Sequence, residues 1–101
     1  MAKKSAVERD KKRVYLGKKF QARRARLKAS AIDPALSPEE RFKARIKLSE
    51  VPRNSAQVRQ RLRCRVSGRS RGNYRKFGLS RIVLRELASS GQIPGIIKSS
   101  W

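Results

Sequence analysis

The sequence predicts a mainly α-helical protein in which extended N-terminal helices precede a small, loop-rich C-terminal module. Residues 3–50 consist largely of strong helix formers, interrupted once by the pair Asp33-Pro34, which should end a helix. Residues 53–85 differ sharply, because they contain eleven Lys or Arg, no Asp or Glu, and several turn-forming glycines. We therefore predict a basic helical extension over residues 1–51 and a zinc-knuckle-like module without metal over residues 52–101.

Two helices are predicted in the extension, over about residues 3–31 and 38–50. The first carries twelve basic and two acidic residues with a thin apolar stripe, and Gly17 weakens its middle, so a bend is expected there. The second has clear start signals, since Ser37 is a good N-cap, a proline follows it, and Glu40 completes a capping box. The short turn between the two helices favours a helical hairpin.

The C-terminal module is predicted to contain one short helix, over about residues 80–90, followed by a tail. Ser80 is a suitable N-cap, the apolar residues after it recur at helical spacing, and Gly91 is a stop signal. The tail, residues 92–101, is too short and too rich in Pro and Gly for another helix. We expect its isoleucines and Trp101 to pack back or to dock onto a partner.

Composition favours a polyanion-binding protein over an enzyme. The 101 residues carry 28 Lys and Arg against 7 Asp and Glu, a formal charge of +21, and nucleic acid is the polyanion with the densest phosphates. The chain has no His, its acids are scattered, and it has no nucleotide-binding glycine loop, so we expect no catalysis, cofactor or small-molecule substrate. No secretory signal or membrane-spanning stretch is evident, and the single cysteine cannot form an intrachain disulfide.

The module contains the frame of a metal knuckle with most of its ligands missing. The spacing is C-x2-S-x12-S-x2-V, with Cys64, Ser67, Ser80 and Val83 at its four corners. A structural zinc site needs four thiolate or imidazole ligands, and only the cysteine qualifies. The sequence therefore predicts no metal here, and Cys64 is expected to be a small buried residue.

Specific runs within the module resemble a known family. They are Gly68-Arg69-Ser70-Arg71-Gly72, Arg75-Lys76-Phe77-Gly78-Leu79-Ser80-Arg81, Arg85-Glu86, Ile93-Pro94-Gly95 and the terminal Ser100-Trp101. With these runs the chain resembles the small-subunit ribosomal protein fourteen family (universal S14). That family has a short form that holds zinc through C-x2-C…C-x2-C and a longer form, with an N-terminal extension, that has lost the cysteines. The chain resembles the long form, densely over residues 52–101 and more loosely before them.

The resemblance implies a structural protein in the head of the small ribosomal subunit. Such a protein would bind 16S-type rRNA, support subunit assembly, and help shape the rRNA near the A site. Its implied neighbours are the third, tenth and nineteenth small-subunit proteins, with Trp101 as a docking anchor. The implied location is the ribosome in the bacterial cytoplasm, with an organellar ribosome as the alternative.

The residues also suggest how RNA would be bound. The planar fork of an arginine pairs two phosphate oxygens at once, and glycines allow close approach of the backbone. Tyr74 is as well suited to stacking on a base as to packing, whereas Phe77 better fits a core. The candidate RNA-binding residues are Arg53, Arg59, Arg61, Arg63, Arg65, Arg69, Arg71, Tyr74, Arg75, Lys76, Arg81, Arg85 and Lys98.

Two other interpretations also explain the positive charge of the chain but predict different functions. A free, nucleoid-like nucleic-acid-binding protein is the main alternative and would act outside any large particle. A cationic membrane-surface peptide would need a broad apolar face, whereas the first helix carries Lys and Arg nearly all round, so no membrane partner is expected. Because the metal is lost, we also expect the module to be weakly folded until RNA and protein neighbours bind it.

Overall fold

The computed structural model describes residues 2–100, and within them the chain forms three α-helices and a small antiparallel sheet. This confirms the mainly α fold class and the three helices that the sequence predicts. No helix in the described part of the chain combines the length and the apolar character needed to cross a membrane. The elements are α1 (Lys4–Ile32), α2 (Pro38–Glu50), 3-10 turns at Arg53–Ser55 and Gln57–Arg59, β1 (Asn73–Tyr74), β2 (Leu79–Ser80) and α3 (Arg81–Ser89).

The chain divides into two compact units. The hairpin unit consists of residues 8–60, and the knuckle unit combines the N-terminal residues up to 7 with residues 61 onward. These units are defined by spatial contacts. The sequence-based division between residues 51 and 52 follows composition instead, and it stays a prediction.

Helix α2 begins at a complete capping box. The Ser37 hydroxyl accepts a hydrogen bond from the Glu40 N–H at 3.3 Å, and the Glu40 carboxylate accepts one from the Ser37 N–H at 3.2 Å. Two of the unpaired N–H groups at the start of the helix are thereby satisfied. Small side chains line the interior of the unit, where Ala31, Ala44 and Val51 are buried.

Helix α1 runs without interruption through Gly17, which has a packing role. Gly17 is buried, and a Cβ atom at this position would collide with the side-chain amide of Gln60. Further along α1, the Arg24 guanidinium donates from Nε to the Ser55 hydroxyl at 2.8 Å and from Nη2 to the Pro52 carbonyl at 3.4 Å. The segment after α2 is therefore held against the middle of α1.

The knuckle unit is centred on three buried residues, Cys64, Ser80 and Val83, which are 3%, 1% and 8% exposed. Strands β1 and β2 pair antiparallel, with Asn73 opposite Ser80. The Asn73 side-chain amide donates to the carbonyls of Leu62 and Arg69, both at 2.8 Å. A short strand pair with little apolar area is thus held largely by hydrogen bonds.

The N-terminal residues pack on the first knuckle turn. The Ala2 N–H donates to the Ser67 carbonyl at 3.3 Å. Gly68 has a φ of +69°, which favours glycine, and a Cβ here would lie 3.0 Å from a methyl group of Val7 and 3.3 Å from Ala2. The start of the chain therefore closes over the turn from Ser67 to Gly68.

The C-terminal tail has an open surface. Ile97 is 92% exposed and Ile96 is 37% exposed, so neither isoleucine is buried against the knuckle unit. Trp101, the predicted docking anchor, lies outside the described residues. Docking of the tail onto a partner stays a prediction.

Candidate nucleic-acid interface

The four corners of the metal-like frame come together in the knuckle unit. The Ser67 N–H points to the Cys64 sulfur at 3.5 Å, and the Val83 N–H points to the Ser80 hydroxyl at 3.3 Å. In both halves of the frame, the side chain of the first corner residue (Cys64 or Ser80) accepts a hydrogen bond from the backbone N–H of the second corner residue (Ser67 or Val83). In the second half this contact also caps the N-terminus of α3.

The donor set at these corners does not fit zinc. Cys64 supplies one thiol, Val83 has no ligand atom, and the Ser80 hydroxyl is used as a helix cap. Across residues 2–100, His, Cys, Asp and Glu form no group of three that could hold a metal ion. The knuckle geometry in this chain is therefore held by hydrogen bonds and packing.

The sulfur of Cys64 sits where several donors converge. Burial raises the pKa of the thiol, but hydrogen bonding from the Ser67 hydroxyl and from the backbone N–H groups of Ser67, Ser80 and Val66 outweighs burial, so the pKa falls from 9.0 to about 6. The lowered pKa favours the thiolate form of Cys64, whose sulfur faces the Ser67 N–H at 3.5 Å.

Two exposed cations stand at the tip of the β-hairpin. Residues 75–78 join β1 to β2, and the turn closes when the Gly78 N–H donates to the Tyr74 carbonyl at 2.8 Å. Gly78 has a φ of +66°, which explains the glycine at this place. Arg75 and Lys76 are both exposed, so the hairpin presents them to a partner.

One groove of about 550 Å³ brings together four of the predicted RNA-binding residues. Arg81 and Arg85 come from α3, Lys98 comes from the tail, and Tyr74 comes from β1 and is 50% exposed. Apolar side chains, including those of Ile82 and Ile96, form part of the wall. The groove combines phosphate-binding groups with an aromatic ring, an apolar surface and one carboxylate, that of Glu86.

Two of the predicted residues also hold the knuckle itself. Arg63 donates from Nη1 to the Gly68 carbonyl at 2.9 Å, and Arg69 donates from Nε to the Arg71 carbonyl at 3.0 Å. Both are half-buried and line a second groove of about 550 Å³. The Arg69 guanidinium has further N–H groups, so its bond from Nε leaves others to face a phosphate.

The remaining predicted residues fall into two places. Arg61, Arg65 and Arg71 are exposed on the knuckle unit, and the Arg65 side chain covers Gly78. Arg53 and Arg59 belong to the hairpin unit, where they occupy the two 3-10 turns. The RNA-binding role of all thirteen residues stays a prediction.

Sequence reasoning missed the role of Arg24. It is one of many cations on α1, yet its guanidinium is bonded to Ser55, which is 1% exposed, and to the backbone of Pro52. The contact spans 31 residues, and no local sequence pattern signals it. Gly17 was interpreted from the sequence as the place of a bend, whereas in the structure it allows the close approach of the Gln60 side chain.

Comparison with known proteins identifies the family. Residues 47–100 match the family model described as ribosomal protein S14p/S29e. The chain is 66% identical to small ribosomal subunit protein uS14 of Paramagnetospirillum magneticum, 63% identical to that of Bartonella henselae and 61% identical to that of Brucella ovis. Each alignment covers 101 residues and the full length of both chains. The chain therefore belongs to the ribosomal protein S14p/S29e family.

Proposed function

We propose that the chain binds 16S-type rRNA in the head of the small ribosomal subunit, where it supports assembly and the rRNA conformation near the A site. Membership of a ribosomal protein family makes it a structural component and not an enzyme. The observation that carries the RNA-binding proposal is the surface of the knuckle unit. Exposed cations stand at the hairpin tip and around the grooves, and they outnumber the one acid, Glu86, that lines both grooves.

The chemistry of this surface suits folded RNA with unpaired bases. Arg75 and Lys76 project from a tight turn and can reach phosphates across a groove of the RNA. Tyr74 offers a half-exposed ring on which an unpaired base can stack, next to the cations of Arg81 and Arg85. The surface would thus position RNA chiefly through its backbone.

Protein neighbours and location belong to the same proposal. The names of the relatives place those proteins in the small ribosomal subunit. We propose the third, tenth and nineteenth small-subunit proteins as neighbours of this chain, with Trp101 as an anchor. The proposed location is the ribosome of the bacterial cytoplasm.

The proposal is tested by the salt dependence of binding to 16S rRNA. Arg71→Ala and Arg75→Ala should each weaken binding and lower the slope of log affinity against log salt by about 0.7–0.9, because one phosphate contact and its released counterions are lost. Arg24→Ala is the matched control, since it also removes one positive charge but from a side chain that binds Ser55. Equal slopes for Arg71→Ala, Arg75→Ala and the unchanged chain would contradict the proposal.

The alternative function makes a different prediction. A free, nucleoid-like protein would bind double-stranded DNA as tightly as rRNA and would leave ribosomal subunits in moderate salt. We expect the chain to sediment with small subunits under those conditions instead. Its loss from the subunit peak, together with equal DNA affinity, would favour the alternative.

A further inference from the structure

Helix α3 carries a single carboxylate between two basic grooves. The sequence of the knuckle unit contains twelve Lys and Arg and one acid, Glu86. Glu86 lines both the groove that holds Tyr74 (the Tyr74 groove) and the groove that holds Arg69. Ile82, which precedes Glu86 by one helical turn, also lines both grooves and is 47% exposed. The two side chains therefore form a ridge that the grooves share.

The Glu86 carboxylate forms no salt bridge within residues 2–100, although Arg81 and Arg85 line the same groove. Consecutive residues of a helix point in different directions, so Arg85 and Glu86 do not face each other. A negative charge on a phosphate-binding surface repels phosphates and by itself weakens the binding of RNA. A direct hydrogen bond from an RNA base to this carboxylate would offset that repulsion.

Guanine is the base whose edge matches a carboxylate. Unpaired RNA bases are recognised through hydrogen bonds to their Watson–Crick edges. The guanine edge presents two adjacent donors, N1–H and the N2 amino group, and a carboxylate can accept both at once. Adenine and cytosine each have a ring-nitrogen acceptor beside the amino group, and uracil has a carbonyl on either side of its one N–H. These three bases would therefore turn an acceptor toward the carboxylate.

The Tyr74 groove supplies the other contacts that a nucleotide needs. Its volume of about 550 Å³ falls within the range of roughly 300–1,000 Å³ that is typical of small-ligand sites. The half-exposed Tyr74 ring offers a stacking surface, and Ile82 offers an apolar contact. Arg81 is exposed and can bind a phosphate through its guanidinium. Because Glu86 repels phosphate, the base belongs beside Glu86 and the phosphate beside Arg81.

We propose that the Tyr74 groove binds an unpaired guanine of the rRNA, with the Glu86 carboxylate accepting hydrogen bonds from N1–H and the N2 amino group while Arg81 binds a phosphate of the same nucleotide. This inference rests on the proposed rRNA binding and extends it, since it assigns base selectivity to a surface that otherwise positions RNA through its backbone. A bidentate contact of this kind discriminates against the wrong base by roughly 5- to 150-fold.

The test maps guanine reactivity in small subunits reconstituted from 16S rRNA, the other small-subunit proteins and either the unchanged chain or Glu86→Gln. Kethoxal modifies N1 and N2 of accessible guanines, the two atoms that would face Glu86. We expect one guanine that the unchanged chain protects to become about tenfold more reactive with Glu86→Gln, because the amide replaces one acceptor with a donor. Replacing that guanine with adenine should weaken binding of the unchanged chain about tenfold and leave binding of Glu86→Gln nearly unaffected.

Glu39→Gln is the matched control, because it removes an exposed carboxylate from the hairpin unit and should leave the kethoxal pattern unchanged. Failure of the unchanged chain to enter the subunits would contradict the proposed function itself. If both chains enter, the inference alone is wrong when no guanine gains reactivity or when guanine replacement weakens both chains equally. Failure of Glu86→Gln alone to enter would also overturn it, because losing one base contact leaves the cations in place.

Discussion

Replacing Arg24 with alanine should destabilise the hairpin unit without changing the salt dependence of RNA binding. Arg24 is the charged donor of a 2.8 Å hydrogen bond to the hydroxyl of Ser55, which is almost fully buried. Its second contact, to the Pro52 carbonyl, is longer at 3.4 Å. Loss of this side chain removes the link between the middle of α1 and the segment after α2.

The expected loss in the free energy of unfolding is about 2 kcal/mol. A hydrogen bond from a charged group contributes roughly 1.5–3 kcal/mol, and the longer contact adds little. Arg24 is only half-buried, so water screens part of the interaction, and the Ser55 hydroxyl still donates to the Pro52 carbonyl after the change. A loss of about 2 kcal/mol raises the unfolding equilibrium constant about 30-fold.

Unfolding in urea is monitored by the far-UV circular dichroism signal, to which α1 and α2 contribute most. Arg23→Ala is the matched control, because it removes an exposed charge from the neighbouring position. Arg24→Lys should be intermediate, since an ammonium can replace one bond but not the fork. The reasoning is refuted if Arg24→Ala and Arg23→Ala have equal stability, or if Arg24→Ala lowers the salt slope of RNA binding.

Three further outcomes are expected. Gly68→Ala should cost about 1–2 kcal/mol for its left-handed backbone and more for its contact with Val7, seen as faster hydrogen exchange around the first knuckle turn of the RNA-bound chain. The ¹³Cβ chemical shift of Cys64 in the RNA-bound chain should titrate near pH 6, because the pKa of the thiol is lowered in the folded state. The thiolate therefore stabilises the folded state fully above about pH 8.5, the pKa of an unfolded cysteine, and this stabilisation is lost as the pH falls through 6. Cys64→Ser should abolish that titration and leave assembly nearly unchanged, so an assembly defect with bound zinc would contradict this view. In the free protein, residues 60–90 should exchange quickly and gain protection on rRNA, and strong uniform protection without RNA would count against weak folding.

Local sequence signals predicted the helices well because each signal acts within a few residues. Ser37 and Glu40 bond to each other across one turn, and Ser80 caps α3 in the same way. Long-range contacts had no such signal, which is why Arg24 looked like any other cation of α1. The convergence of N–H groups on Cys64 was equally hidden, since backbone donors have no side-chain signature.

The structure shows which contacts hold the knuckle geometry in a chain whose four corner residues do not fit zinc. These contacts are the N–H groups around the Cys64 sulfur, the serine cap on α3 and the N-terminal residues on the Ser67 carbonyl, each worth about 1 kcal/mol. We expect RNA and protein neighbours to supply the rest of the order. Arg69, which bonds the carbonyl of Arg71, is well placed for this, since a phosphate bound to its other N–H groups would tighten the turn that it already holds.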